Sequence, residues 1–277
     1  MARRLIYDNH NHSQFSFDGS RTSVREAAAQ AEKIGLAGLC FTDHCDFFVP
    51  KEKAAHENER PEVFDVASQQ MEIDRCREEF SQIGIFKGVE IGMYRDCRDN
   101  IRKFLTEYSF DQVIASVHYL DGTDPFYGGY YQGRDWKQAY GHYLETIYEE
   151  MTWLGDFDIM GHFDYVARYA PYPQESIFYK DFSDLFDLML GYLAMEGKAL
   201  EINTKSYQDY KGRTPELDKN ILLRYKELGG EVISLGSDSH NPGRVGDKFG
   251  FYSELIKSLG FKYLAHFEER KLIQQSI

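Results

Sequence analysis

Seven short runs rich in β-branched and aromatic residues alternate along this chain with six longer stretches whose apolar residues recur at three- and four-residue intervals. The strand-like runs are residues 4–10, 37–44, 85–92, 110–120, 157–164, 198–204 and 231–240. Helical patterns occupy 23–35, 66–84, 98–108, 136–154, 182–197 and 215–230. The first helix opens on a Ser23 cap and closes at Gly35, and Pro215 is expected in the first turn of the last. Alternation of this kind predicts parallel β/α units and an α/β fold class.

Neither a dinucleotide-binding glycine fingerprint nor a Walker sequence is present. A distorted (β/α)7 TIM-like barrel fits the pattern better than a doubly wound sheet. No Pro-, Gly- or Ser-rich linker divides the chain, so residues 1–277 are read as one domain. Longer irregular segments at 45–64, 119–135, 165–181 and 204–214 each follow a strand. All four are therefore expected at one end of the sheet.

A net charge of -13 argues against nucleic acid as a partner, because such a surface repels phosphate backbones. The longest apolar runs, such as 35–41, are too short to cross a membrane, and no signal-peptide pattern follows Met1. Cys40, Cys45, Cys76 and Cys97 show neither CxxC spacing nor the density of a disulfide framework. The expected compartment is the cytoplasm.

Of nine histidines, six fall at or just past the end of a strand-like run: His10, His12, His44, His118, His162 and His240. Glu90 and Asp238 hold equivalent places on the third and seventh runs. In β/α barrels, side chains at the C-terminal strand ends converge over the barrel mouth. Crowding eight such groups without metal would cost desolvation and carboxylate repulsion. Mixed nitrogen and oxygen donors suit Zn, Mn or Fe better than Ca or Mg. His56, His142 and His266 are read as surface or packing residues. Cys45 is read as packing, since alternation turns it away from the side His44 faces. Asp43 and Asp164, beside two of the histidines, either orient imidazoles or lie exposed.

The elements "HNH" (10–12) with Asp18 downstream, "TDH" (42–44), "GVEIG" (88–92), "SVHYLDG" (116–122), "GHFD" (161–164) and "GSDSH" (236–240) run in a fixed order. Together they resemble the polymerase and histidinol phosphatase (PHP) family of metal-dependent phosphoesterases. That resemblance implies a distorted (β/α)7 barrel and three divalent ions. His10, His12, Glu90 and Asp238 would hold the first, and Glu90, His118 and His162 the second. Asp18, His44 and His240 would hold the third. "SVHYLDG" and "EINT" (201–204) are most like the histidinol-phosphate phosphatases. The implied partner is a small phosphorylated metabolite, L-histidinol phosphate of histidine biosynthesis.

Arg168 follows the "GH" element as a phosphate-binding arginine does in that subgroup. A second arginine usually follows "EINTSG" closely; here Lys205 replaces the small residue, and the next arginine is Arg213. Arg168 and Arg213 are expected to hold phosphate oxygens. The implied reaction is metal-assisted hydrolysis of a monoester, with a metal-bound water, or Asp238 or His240 acting from the metal shell, supplying the leaving group's proton. Two other readings stay open: a PHP phosphoesterase for another small monoester or a nucleotide, and a non-catalytic module that binds metal and phosphorylated ligands.

Overall fold

Helix α1 (Val24–Ile34) begins with a capping box, in which Ser23 Oγ accepts from Glu26 N at 3.2 Å and Glu26 Oε2 accepts from Ser23 N at 3.1 Å. It ends at Gly35, whose φ of 82° suits a residue without a Cβ. The computed structural model describes residues 6–19, 21–54 and 60–277. Residues 4 and 5 of the first expected strand, and His56, lie outside them.

Strands β1 (Tyr7–Asn11) and β2 (Gly38–Phe41) flank α1. A small extension follows, made of β3 (His44–Asp46), α2 (Lys51–Ala54) and β4 (Glu62–Val63). Next come α3 (Val66–Glu79), β5 (Gly84–Gly92), α4 (Arg98–Glu107) and β6 (Gln112–Ser116). Helix α5 (Trp136–Leu154) covers its expected range, with Asp135 and Gln138 closing a second capping box. Then follow β7 (Ile159–Met160), the short α6 (Tyr165–Tyr169), α7 (Ser183–Glu196) and β8 (Ala199–Asn203).

Helix α8 (Lys219–Glu227) starts four residues later than expected, because Asp218 rather than Pro215 sets its start. The Asp218 carboxylate accepts from Asn220 N at 3.0 Å, and Pro215 stays in the preceding segment. Strand β9 (Ile233–Gly236) is followed by three elements for which the sequence pattern had assigned nothing. These are α9 (Phe249–Ser258), β10 (Tyr263–Glu268) and β11 (Lys271–Ser276).

The seven parallel strands pair in the order β1-β2-β5-β6-β7-β8-β9. Bonds from Asp238 N to His10 O (2.8 Å) and from His12 N to Ser239 O (2.9 Å) bring the last strand back to the first. The TIM-like barrel is thereby closed. Strands β6, β8 and β9 are buried along their whole length, as expected where helices cover a parallel sheet. One extra residue on β1 breaks its register with β2 between Asp8 and Asn11, a bulge immediately beside His10.

The antiparallel hairpin of β10 and β11 covers the N-terminal end of the barrel. Ala265 and Phe267 pack there on Ile114, Ile159, Ala199 and Val232. The His266 ring stacks on Tyr7 at 3.6 Å, which is a packing role. At the opposite end, all four irregular segments contribute to the wall of one cavity of about 380 Å³, through Lys53, Tyr119, Tyr165 and Lys205 among others.

Candidate metal centre

Glu90 sits at the centre of the barrel mouth, fully buried near the end of β5. Its Oε1 accepts from Ser116 Oγ at 2.7 Å and lies 3.1 Å from His118 Nε2 and 3.0 Å from His162 Nε2. Its Oε2 has His10 Nε2 at 3.2 Å, His12 Nε2 at 3.5 Å and His44 Nδ1 at 3.0 Å, yet makes no hydrogen bond. Burial opposes its charge, but the imidazoles of His10, His118 and His44 hold the carboxyl well below the usual range.

The Nε2 atoms of His10, His12, His118 and His162 all face inward, toward Glu90. His10 Nε2 and His12 Nε2 stand 3.2 Å apart. Burial, with His44 and His240 nearby, pushes His12 below the usual imidazole range. Around the rim, Asp18 Oδ2 lies 2.7 Å from His240 Nε2 and 3.8 Å from His44 Nε2. Asp238 Oδ1 lies 3.3 Å from His12 Nε2 and 2.9 Å from Lys205 Nζ. Asp238 also holds a φ of 48°, an uncommon conformation that the backbone bond to His10 O keeps in place.

Four overlapping groups have ligand atoms close enough to share an ion: His10–His12–Glu90, Glu90–His118–His162, His12–Asp18–His44–His240, and His44–Asp46–His118. The donors fit a divalent transition metal, being imidazole nitrogens and carboxylate oxygens. Glu90 Oε2, His44 Nδ1 and His240 Nε2 are buried without a hydrogen bond, although each has a carboxylate oxygen or imidazole nitrogen within 3.0 Å. Atoms that approach so closely without hydrogen-bond alignment are left to be satisfied by something bound, and cations held within these groups would do so.

Of the expected ligands, His10, His12, Asp18, His44, Glu90, His118, His162 and His240 fall within these groups, whereas Asp238 belongs to none of them and stands beside them, its Oδ1 3.3 Å from His12 Nε2. Two carboxylates that sequence reasoning missed stand behind them. Asp46 lies 3.0 Å from His118 Nδ1, and Glu201 lies 2.7 Å from His10 Nδ1 while accepting from His162 N at 2.7 Å. Both fix the orientation of imidazoles that face the centre. Asp46 carried a signal, since it is two residues beyond His44 and so shares its face of a strand. Glu201 is the one acid of the buried strand β8. The glycines around them serve these carboxylates: a Cβ at Gly92 would collide with Asp46, and one at Gly236 with Glu201.

Asp43 and Asp164 are buried rather than exposed, and neither bonds an imidazole. Asp43 accepts from Ser13 N at 2.6 Å and from Gln69 Nε2 at 2.8 Å, which pins the loop after His12. Asp164 accepts from Ser206 Oγ at 2.6 Å. That hydroxyl in turn accepts from Arg168 Nη2 at 3.2 Å.

Arg168 is buried, lines the cavity, approaches Asp238 Oδ2 at 3.8 Å and leaves its Nε without a partner. Arg213 is placed elsewhere. Its guanidinium bonds the Tyr172 carbonyl and stands 3.6 Å from Glu175, outside the cavity that holds the metal-capable groups. Lys205 occupies that cavity instead, with Nζ 3.0 Å from His240 Nδ1. Cys45 is buried in the core and belongs to none of the metal-capable groups.

The PHP domain model matches residues 8–205 of this chain. The chain belongs to the PHP domain family. The matched span stops short of β9, so Asp238 and His240 lie beyond it, on the segment that follows β9. A "Histidinol-phosphatase" of Lactococcus lactis is 35% identical over 96% of this chain and 95% of its own length. A "Probable histidinol-phosphatase" of Clostridium acetobutylicum is 29% identical over 98% of this chain and 99% of its own. Among solved structures, this PHP chain is similar to histidinol phosphate phosphatase from Lactococcus lactis complexed with zinc, L-histidinol and phosphate. That match has a TM-score of 0.87 and 32% identity, covering 98% of this chain and 100% of the other. No described helix is long and apolar enough to cross a membrane.

Proposed function

We propose that this protein hydrolyses L-histidinol phosphate to L-histidinol and phosphate in histidine biosynthesis, as a metal-dependent phosphomonoesterase. One observation carries the reading: Asp18, His44, His118, His162 and His240 of the metal-capable cluster line a single cavity of metabolite size together with the buried guanidinium of Arg168, and Glu90 lies directly beneath them. Relatives matching along nearly the whole chain support the substrate. The four free, buried cysteines fit the reducing cytoplasm.

Three divalent ions, Zn, Mn or Fe, are assigned to His10, His12, Glu90 and Asp238; to Glu90, His118 and His162; and to Asp18, His44 and His240. When bound, such ions neutralise phosphate charge and acidify water to the point where hydroxide is available near pH 7. Arg168 holds a phosphate oxygen by charge-assisted hydrogen bonds, with Ser206 and Asp164 keeping its side chain in place. As the phosphorus–oxygen bond to the alcohol breaks, the leaving alkoxide needs a proton. His240 and the Asp238 carboxylate stand at the rim to relay that proton from water, their Nδ1 and Oδ1 atoms 3.4 Å apart.

Metal analysis of the purified protein together with a phosphate-release panel tests this reading. Mn- or Zn-loaded protein should turn over L-histidinol phosphate faster than any generic monoester, and a chelator should abolish turnover. Equal rates across the panel would overturn the substrate. Binding of monoesters without phosphate release would overturn the enzyme.

A further inference from the structure

Four carboxylates line the cavity: Asp18, Asp46, Asp124 and Asp238. Three of them have a cationic or imidazole nitrogen within 3.0 Å, namely His240 for Asp18, His118 for Asp46 and Lys205 for Asp238. Asp124 has no such partner among the described residues. It accepts from Phe126 N at 2.8 Å and Tyr165 OH at 3.1 Å, and both bonds end on Oδ1. The cations lining the cavity are already engaged. Lys53 pairs with Glu62 and sits over the Phe17 ring, Arg168 bonds Ser206, and Lys205 bonds Asp238. Burial pushes the Asp124 carboxyl above its usual range, against the Phe126 N–H bond and the nearby His118 and Lys53. A buried carboxylate facing a cavity in this state gains most from a cation that arrives with the ligand.

The surrounding walls are aromatic. Phe126 and Tyr127 are about half exposed, at 49% and 48%, with Tyr169 packed edge-on to Phe126 at 5.3 Å. Tyr165 links this wall to the metal-capable cluster: its hydroxyl bonds Asp124 while its ring lies 5.1 Å from that of His162. A monoester with its phosphate at the cluster and Arg168 would therefore run along Tyr165 toward Asp124. Aromatic faces and a carboxylate together suit a protonated amine or an imidazolium.

We propose that Asp124 receives the cationic organic end of the substrate, between the aromatic walls of Phe126, Tyr127 and Tyr169. The proposal rests on the phosphomonoesterase reading and gives its substrate a chemical class, a cationic phosphate ester. Asp124→Asn keeps the Oδ1 acceptor and removes the charge. Should that variant fold poorly, Asp124→Ser can still cap the turn at Pro125. The measurement is kcat/KM for L-histidinol phosphate relative to phenyl phosphate, a neutral-bodied ester, in metal-loaded wild type and variant. Inhibition by L-histidinol and metal content are read in parallel.

The ratio should fall about tenfold to a hundredfold, mainly through KM, the range expected when one charged hydrogen bond is lost. L-Histidinol inhibition should weaken by a similar factor while the bound metal stays constant. A wild-type preference for the cationic ester that the variant retains would overturn the role of Asp124 alone. A wild-type protein without that preference would overturn both this proposal and the assigned substrate.

Discussion

At the N-terminal end of the barrel, buried Asp158 accepts from Val113 N at 2.8 Å and pairs with Arg270 at 2.5 Å. At the C-terminal end, buried Glu90 has three imidazole nitrogens within 3.5 Å of Oε2 and no hydrogen bond on that atom. The same strands thus end in two different solutions to buried charge. Arg270, brought in by the β10–β11 hairpin, neutralises one end from within the protein. The other end is completed only by something bound. The contrast separates the charges that serve the fold from those held ready for a ligand.

The largest expected effect comes from removing the central group of the open end. Glu90→Ala should cut turnover by about a thousandfold or more and lower the bound metal, because this carboxylate meets two ligand groups. Its far-UV circular dichroism should match wild type. Activity above roughly one per cent of wild type would remove Glu90 from its bridging role.

At the closed end the expectation reverses. Arg270→Ala strands the Asp158 carboxylate and should cost about 2 kcal/mol in urea unfolding, a figure reduced because Arg270 is partly exposed. Its kcat/KM should stay within about twofold of wild type. Lost activity at full stability would show that the two ends are coupled. The smallest effect is expected at Arg213, which lies outside the metal cavity. Arg213→Ala should raise KM less than about threefold, whereas a tenfold rise would restore it as a phosphate contact.

Much of this organisation was legible without coordinates. Residues 136–154 form a helix over the range their apolar spacing indicated, because that periodicity and the capping box agree. The histidines were found by where they fall relative to strand ends. Asp46 was missed because β3 is a three-residue strand that resumes after a break at Thr42 and Asp43. Arg213 lies outside the metal cavity: closeness to "EINT" in sequence says nothing about the direction of the intervening turn. Lys211 and Gly212, at φ 56° and 82°, bend the chain so that Tyr210 and Arg213 bridge and the guanidinium meets Tyr172.

Composition and period by themselves determined the α/β alternation, the number of barrel strands and the donor types at the strand ends, since all three depend on short-range pattern. Tertiary structure alone decided which nitrogen faces which oxygen, that Lys205 rather than Arg213 enters the cavity, and that Asp124 lacks a cation. The first of those outcomes depends on barrel closure, in which Asp238 N bonds His10 O across almost the whole length of the chain. Convergence of that kind is a property of packing between distant segments, and no local spacing encodes it.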